Sequence, residues 1–318
     1  MCGRFDERDS QRAAFRSDVL TGLTQTPKTL PSRWLYDTRG SELFEEITHL
    51  DEYYPTRTET GILRRYAAEI SEFSGEGGVL LEYGAGAGIK TEFLINALRS
   101  PRLYVPIDIA GHFLDQTVAR FRNTFPNLTA RPLVSDFTSE FDLPDWVPEE
   151  GRIAFFPGST IGNLNAEEAG RFLRQMRAHV GGVGRAVIGL DMKKDLDVLL
   201  PAYDDREGVT AQFNLNLLAR ANRELGGDFD LERFRHSARW HEVESAVEMH
   251  LISTVDQDLH VEGVRFHFDA NETIHTESSR KYDLSGFSRM ATEHGWSVDR
   301  VWADERNYFS VVGLRPSP

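Results

Sequence analysis

The feature that most constrains the fold is a glycine-rich turn between an apolar run and a helical stretch, LLEYGAGAGIKTEFLINAL at residues 80–98. Gly84, Gly86 and Gly88 alternate, and residues without a Cβ let the backbone turn tightly and lie against a ligand. A strand that runs into such a turn and continues as a helix is typical of nucleotide-binding α/β folds. The sequence therefore predicts a ligand-binding turn after the first strand of an α/β sheet.

Short apolar runs then alternate with helical stretches, which is typical of a parallel sheet with crossover helices. The predicted strands are 78–83, 103–108, 128–134, 152–156 and 185–191, and the predicted helices are 90–98, 111–125 and 166–180. This alternation ends after 191. The sequence then predicts two helices, 196–204 and 209–225, and four strands at about 237–240, 245–256, 263–268 and 272–279, which together indicate an inserted lobe. A helix at 284–294 and two further strands predict a C-terminal hairpin that closes the sheet.

Charge and composition exclude several classes of protein. The formal net charge of -14 argues against a nucleic-acid or anionic-membrane surface, which would need clustered Lys and Arg. Cys2 is the single cysteine, so no intramolecular disulfide is possible, and nothing downstream supports a role for it as a nucleophile. With no run of 18 apolar residues and no signal-peptide pattern, we expect a cytoplasmic protein, and a monomer is compatible with these features.

A glycine turn alone leaves two ligand classes open, dinucleotides and S-adenosylmethionine (SAM). The spacing here is G-x-G-x-G, whereas a dinucleotide site has G-x-G-x-x-G. Glu82 precedes the turn, and its carboxylate would repel a diphosphate and attract a cationic sulfonium. The pattern favours SAM, with a nicotinamide oxidoreductase as the alternative.

Polar and aromatic residues follow the next two predicted strands. Asp108 ends the second strand, where a carboxylate can accept hydrogen bonds from ribose hydroxyls. Asp136 and Phe137 follow the third strand and could bind an adenine amino group and its ring face. Each residue alone could be a helix cap or a core residue. Together they fall at one edge of the sheet, where open α/β sheets bind ligands.

Several stretches, spread over nearly the whole chain, resemble the histidine Nα-methyltransferases of ergothioneine biosynthesis, which trimethylate L-histidine to hercynine. The stretches are KTLPSRWLYD, LDEYYPTRTE, EYGAGAGIKT, GSTIGNL, AYDDREGVTAQFNLN, NRELGGDFD, VEMHL and IHTESSRKY. The combination of YYPTRTE with GSTIGNL is specific to that family.

The resemblance implies a class I SAM-dependent methyltransferase, that is, a Rossmann-like sheet with an inserted α+β substrate-binding lobe. The SAM-binding domain would comprise residues 59–192 and 282–318, and the substrate lobe residues 1–58 and 193–281. The implied reaction is in-line methyl transfer to the α-amine of L-histidine, with SAM as cofactor and without a metal.

The resemblance also implies site residues at matching positions. Cofactor contacts would be Tyr36, Gly84, Gly86, Lys90, Asp108, Asp136 and Phe137, to which the charge argument adds Glu82. Substrate contacts would be Tyr53, Gly158, Asn163, Tyr203, Met249, Glu277 and Ser279. The residues expected to act directly in catalysis are Tyr36, Gly158 and Asn163.

These residue types suit a zwitterionic heterocyclic substrate. Asn163 and Tyr203 can donate hydrogen bonds to its carboxylate, which avoids burying an unpaired charge. Glu277 and Ser279 lie two apart on a predicted strand and therefore on one face, where they can bind the two imidazole nitrogens. Tyr53 can close over the ring.

Catalysis would depend mainly on alignment, because the reaction needs a neutral amine but no strong base. Gly158 and Asn163 lie on a predicted loop at the sheet edge that can supply this alignment. Tyrosine faces such as those of Tyr36 and Tyr53 can tolerate a growing quaternary ammonium, and Met249 offers an adaptable apolar wall.

Two departures and several alternatives accompany this interpretation. Ala85 and Ile89 stand where the family commonly has a serine and a charged residue, which leaves side-chain contacts of the turn in question. The same fold could methylate another amino acid such as a tryptophan derivative, in which case Glu277 would be out of place. A SAM-binding protein without catalytic activity is the other alternative. The tyrosines could also be ordinary packing residues.

Overall fold

The computed structural model describes residues 3–76, 78–86, 88–109 and 111–317, without the side chains of residues 3–8, 10, 112 and 113. Cys2, considered above as a nucleophile, lies outside the described residues. The chain forms two compact units. Unit 1 comprises Met1–Tyr54 and Asp195–Ser279, and unit 2 comprises Pro55–Lys194 and Arg280–Pro318.

The helices of the described residues are numbered in chain order. They are α1 Gly3–Thr24, α2 Thr38–Thr48, α3 Tyr54–Arg65, α4 Ala67–Ser74, α5 Ile89–Ala97, α6 Gly111–Thr124, α7 Ala166–Val180, α8 Leu196–Leu199, α9 Val209–Leu225 and α10 Leu284–Glu293. Among the described helices, none is long and apolar enough to cross a bilayer.

The strands are numbered in the same way. They are β1 Lys28–Thr29, β2 Val79–Tyr83, β3 Leu103–Asp108, β4 Thr129–Ala130, β5 Leu133–Val134, β6 Arg152–Phe156, β7 Arg185–Asp191, β8 Phe234–His241, β9 Ala246–Ser253, β10 Gln257–Val261, β11 Val264–Phe268, β12 Thr273–Arg280, β13 Trp296–Ala303 and β14 Phe309–Pro316.

Unit 2 is built on one sheet with the strand order β13-β14-β7-β6-β2-β3-β4, and β5 also pairs with β3. The pairs from β7 to β4 are parallel, whereas β14 runs antiparallel to both β7 and β13. This order confirms the predicted Rossmann-like sheet closed by a C-terminal antiparallel hairpin. The carboxyl ends of β2, β3 and β6 therefore meet at one edge, where Gly84 follows β2 and Asp108 ends β3.

The central strands β2, β3, β6 and β7 of unit 2 are buried on both faces, which explains why they are mostly apolar. Successive residues point to opposite faces, so Leu81 packs with Phe172 of α7, whereas Leu80 belongs to the other core with Leu94 of α5 and Phe121 of α6. Two apolar cores thus hold the strand ends rigidly in register.

Unit 1 contains a sheet with the order β1-β12-β9-β8 and a separate β10–β11 hairpin. β1 pairs in parallel with β12, so the N-terminal segment contributes a strand beside the inserted segment. Helix α9 is flanked by Gly208 and Gly226, both in the left-handed conformation, and it buries Phe213, Leu217 and Leu218. The inserted segment is therefore the predicted mixture of helices and strands.

Two predicted elements are interrupted in the structure. The predicted strand 128–134 is divided into β4 and β5, because Pro132 between them has no N–H to donate. The predicted helix 196–204 ends at Leu199 and continues as a 3₁₀ turn over Leu200–Ala202, because Pro201 cannot donate the helical hydrogen bond. Strand β10 was not predicted. It joins β11 through Glu262 and Gly263, both at positive φ.

Candidate active site

The glycine turn of unit 2 has the conformation that the sequence predicts. Gly84, Gly86 and Gly88 all have positive φ, at 66°, 47° and 64°. A Cβ on Gly88 would lie 2.9 Å from the ring of Phe121, whereas a Cβ on Gly86 would have no described atom within 4 Å. Gly88 therefore lets the turn pack closely against α6, whereas the space next to the Gly86 Cα is open.

Asp108 lies against this turn. Its Oδ2 accepts a hydrogen bond from the Gly86 N–H at 3.3 Å. The ring of Phe137 also borders the turn, because its edge would lie 3.4 Å from a Cβ on Gly84. Asp136 Oδ1 accepts from the N–H of Thr138 at 2.9 Å, which closes a tight turn after β5. Predicted cofactor residues from three strand ends are therefore grouped at one edge.

Glu82 is buried beneath the turn, with 1% exposure. Its two carboxylate oxygens accept hydrogen bonds from the hydroxyls of Thr91 and Tyr104. Burial raises the pKa of Glu82 to about 7, although both hydroxyls oppose the shift. These contacts tie β2 to β3 and α5. Direct contact of Glu82 with a cofactor stays a prediction.

Lys90, in the first turn of α5, pairs with Glu59, which is not among the predicted site residues. Its Nζ lies 2.6 Å from Oε2 of Glu59, whose side chain is completely buried. The same carboxylate accepts the Gly158 N–H at 3.0 and 2.9 Å. Glu59 therefore connects Lys90 with Gly158, two predicted site residues. It lies in the stretch LDEYYPTRTE, from which only Tyr53 was chosen.

The turn that carries Asn163 is tightly fixed within unit 2. Gly158 and Ser159 have positive φ at 80° and 57°, and a 3₁₀ turn follows over Thr160–Asn163. Arg280 donates from Nη1 to the Leu164 carbonyl at 2.9 Å, and Tyr282 donates to the Ile161 carbonyl at 3.1 Å. Asn163 itself is half-buried. These hydrogen bonds fix the backbone of the turn that carries Asn163.

A buried cluster of three charged residues lies behind that turn. Asp191 is 1% exposed, and Lys281 and Lys194 both pair with its carboxylate, Lys281 at 2.7 Å. Burial lowers the pKa of Lys194 to about 8, although Asp191 opposes the shift. The Asp191 N–H donates to Ser159 Oγ at 2.9 Å, so the cluster also supports the turn.

Unit 1 brings four predicted site residues into one chain of contacts. The rings of Tyr36 and Phe44 meet edge to face at 5.4 Å, Phe44 and Tyr53 at 6.1 Å, and Tyr53 and Tyr203 at 6.2 Å. The Tyr203 hydroxyl then hydrogen-bonds Ser279 Oγ at 2.8 Å. Tyr36, predicted to contact the cofactor, therefore belongs to the same aromatic cluster as Tyr53 and Tyr203. Phe44 was not among the predicted site residues, and neither was Phe213, whose ring meets that of Tyr36 at 5.3 Å.

Strands β12 and β9 carry the remaining predicted substrate residues. Glu277 and Ser279 are 7% and 5% exposed, and both are therefore buried polar side chains. Met249 of β9 is 3% exposed, and its carbonyl accepts from Thr276 Oγ1 at 3.0 Å. A carboxylate and a hydroxyl buried two residues apart can bind a polar heterocycle.

His236 positions Tyr203 and was not selected from the sequence. Its Nε2 lies 2.8 Å from the Tyr203 carbonyl, and its Nδ1 lies 2.9 Å from Asn214 Nδ2. Burial lowers the pKa of His236. The neutral ring can then donate to the carbonyl and accept from the amide. Within the described ranges, no three His, Cys, Asp or Glu side chains are grouped so that they could hold a metal ion.

Proteins similar to this chain are known. A family model described as "Histidine-specific methyltransferase, SAM-dependent" matches residues 15–316. The chain is 40% identical over 309 residues, 95% of each chain, to the Histidine N-alpha-methyltransferase of Mycobacterium tuberculosis. It is 29% identical to Ergothioneine biosynthesis protein 1 of Neurospora crassa, over 94% of this chain and 35% of that protein. It is 25% identical to the L-tryptophan methyltransferase trpM of Psilocybe serbica, over 94% and 92% of the two chains.

Proposed function

The chain belongs to the family of histidine-specific, SAM-dependent methyltransferases, and from this premise we propose that it trimethylates the α-amine of L-histidine to hercynine for ergothioneine biosynthesis. The observation that carries the proposal is the buried polar pair on β12. Glu277 and Ser279 are 7% and 5% exposed, and this pair suits an imidazole.

The glycine turn of unit 2 fits SAM. When bound, SAM supplies an electrophilic methyl group on a sulfonium. Gly86 leaves open space in which the cofactor can lie against the turn, and Asp108 beside it can accept hydrogen bonds from the ribose hydroxyls. Phe137 and Asp136 offer a ring and a carboxylate for the adenine, and Lys90 can donate to an acceptor on the methionine end.

The imidazole would be held by both of its nitrogens. Glu277 accepts one N–H, and Ser279 Oγ accepts the other when the Ser279 hydroxyl donates to Tyr203, 2.8 Å away. The Tyr203 hydroxyl then donates its own proton to the substrate carboxylate. With both nitrogens donating, the bound ring is protonated, and the negative charge of Glu277 favours this form.

The tail of the substrate would be aligned by Asn163 and Gly158. The Asn163 amide can donate to the carboxylate, and the rigid turn described above holds it in direction. The Gly158 N–H already donates to Glu59, so Gly158 offers its carbonyl oxygen to the amine. An acceptor at the amine keeps the nitrogen lone pair directed at the methyl group, which is an alignment effect.

Three successive transfers need a wall that tolerates a quaternary ammonium. The faces of Tyr36 and Tyr53 can attract this cation, and Met249 can adapt to its growing volume. A monomeric state, a cytoplasmic location and the absence of a nucleic-acid partner remain predictions from the sequence.

Mass spectrometry of L-histidine incubated with the protein and SAM tests this function directly. We expect product ions raised by one, two and finally three increments of about 14 daltons, because each transfer adds a CH2. L-Tryptophan under the same conditions is the matched control, given the similarity to a tryptophan methyltransferase. Methylation of tryptophan in preference to histidine would overturn the proposal, and so would SAM binding without any methylated histidine.

A further inference from the structure

The ion pair between Glu59 and Lys90 is built beside the glycine turn, and its charge balance has a consequence for the cofactor. Glu59 is fully buried, and the side chain of Lys90 is 17% exposed. The carboxylate is held from two sides, by Lys90 Nζ at 2.6 Å and by the Gly158 N–H at 2.9 and 3.0 Å. Lys90 has three ammonium protons, of which Glu59 takes one.

A lysine at this position is electrostatically unfavourable for the proposed cofactor. SAM and S-adenosylhomocysteine share an ammonium and a carboxylate whose charges offset each other, but only SAM carries a further positive charge, on its sulfonium. The charge of Lys90 would repel this sulfonium where water is excluded. The product, S-adenosylhomocysteine, has a neutral thioether sulfur and is repelled less. An uncompensated Lys90 would therefore favour the product over the cofactor.

On the basis of the proposed function, we propose that Glu59 is a positioning residue that sets the selectivity for SAM over S-adenosylhomocysteine by neutralising Lys90. The pair keeps the remaining Lys90 protons available to an acceptor and removes the net charge that would oppose a sulfonium. Through Gly158, the same carboxylate fixes the turn that carries Asn163.

The surroundings of Glu59 are shaped to keep its carboxylate in place. A Cβ on Gly189 of β7 would lie 2.1 Å from Glu59 Oε1, so only glycine leaves room for this oxygen. Glu59 on α3 therefore meets α5, β7 and the turn after β6 at one point. A buried ion pair is weak evidence for stability, since apolar replacements are often as stable. Selectivity for a charged ligand accounts for the Glu59–Lys90 ion pair better than a contribution to stability does.

Calorimetric titration with SAM and with S-adenosylhomocysteine separates this role from a structural one. The quantity of interest is the ratio of the two dissociation constants, Kd for SAM over Kd for S-adenosylhomocysteine. We expect Glu59→Gln to raise the ratio about tenfold, because the charge of Lys90 becomes uncompensated. Lys90→Met should lower the ratio, and the double variant should return it to the wild-type value.

Glu92→Gln is the matched control. Glu92 lies on the same helix and pairs with Arg120, and its side chain is 30% exposed. Its replacement removes one negative charge at a solvent-screened position, so the ratio should stay within twofold of wild type.

A Glu59→Gln variant that weakens both ligands equally, or that leaves both unchanged, overturns the inference. If Glu59→Gln does not fold, Lys90→Met carries the test alone, because a ratio that fails to fall contradicts the inference. Failure of the proposed function has a different signature, since wild-type protein would then bind neither ligand or leave histidine unmethylated.

Discussion

Replacement of Glu277 by Gln tests the recognition of the imidazole ring. Glu277 is 7% exposed on β12 and lies two residues before Ser279. Glutamine keeps the size of the side chain and one acceptor oxygen, but it loses the negative charge. The variant therefore isolates the charge-assisted hydrogen bond to the ring from the packing around it.

The expected loss follows from the burial of this side chain. A hydrogen bond to a charged group contributes about 1.5–3 kcal/mol when it is buried. Since about 1.4 kcal/mol corresponds to a factor of ten, kcat/KM for L-histidine should fall about 10- to 100-fold. Most of the loss should appear in KM, because the ring contact is made equally in the ground state and the transition state.

The pH dependence sharpens the assay. Free imidazole rings titrate near pH 6.5, so more of the substrate carries a charged ring at pH 6 than at pH 8. If Glu277 binds the protonated ring, the ratio of wild-type to variant kcat/KM should be larger at pH 6 than at pH 8. Initial rates measured by release of S-adenosylhomocysteine at several histidine concentrations give both parameters.

Glu248→Gln is a control on the neighbouring strand β9, where Glu248 lies 3.0 Å from His250 and its side chain is 20% exposed. This change should leave kcat/KM for histidine within twofold of wild type. A Glu277→Gln enzyme with wild-type kcat/KM, or one whose loss equals that of the control, would refute the reasoning.

Three further expectations concern other parts of the structure. Tyr203→Phe should raise KM for histidine about five- to tenfold and lower the free energy of unfolding by no more than about 1.5 kcal/mol, measured by steady-state kinetics and urea titration, because one hydrogen bond is lost. Gly88→Ala should lower the free energy of unfolding by about 1–3 kcal/mol and weaken SAM binding, because φ is 64° and a Cβ would lie 2.9 Å from Phe121; an unchanged Tm would contradict this. Lys194→Met should abolish a rise in stability with pH. Burial lowers the Lys194 pKa to about 8 against the opposing effect of Asp191, so the unfolded chain binds more protons between that pH and the ordinary lysine value. The wild-type free energy of unfolding should therefore increase by up to about 3 kcal/mol from pH 8 to 10.5, measured by urea titration, with the exposed-lysine variant Lys193→Met as the control.

Much of the sheet could be predicted because its central strands are buried on both faces. β3 and β6 have the predicted bounds, since continuous apolar runs between turn signals leave little choice of register. β10 could not be found in the same way. Its sequence QDLHV alternates between buried and exposed residues in a two-stranded hairpin, and it follows directly after the predicted strand 245–256.

The position of a candidate site residue could be predicted where the residue ends a strand. It could not be predicted where it depends on contacts between residues distant in sequence. Asp108 was selected because it ends β3, and the structure brings it to Gly86. Glu59 was missed because its role depends on meeting Lys90 and Gly158, and nothing in a single sequence signals that these positions converge. The space left by Gly189 is equally invisible without the fold.

The segment inserted after β7 leaves and re-enters unit 2 at adjacent points. Met192 forms a parallel bridge with Tyr282, the Lys193 N–H donates to the Tyr282 carbonyl at 2.9 Å, and the Tyr282 N–H donates to the Asp191 carbonyl at the same distance. An inserted segment whose two ends are hydrogen-bonded to each other can be accommodated without distorting the sheet that it interrupts. If the inserted segment binds the substrate, as we propose, its sequence can change with the identity of the amino acid while the sheet of unit 2 stays the same.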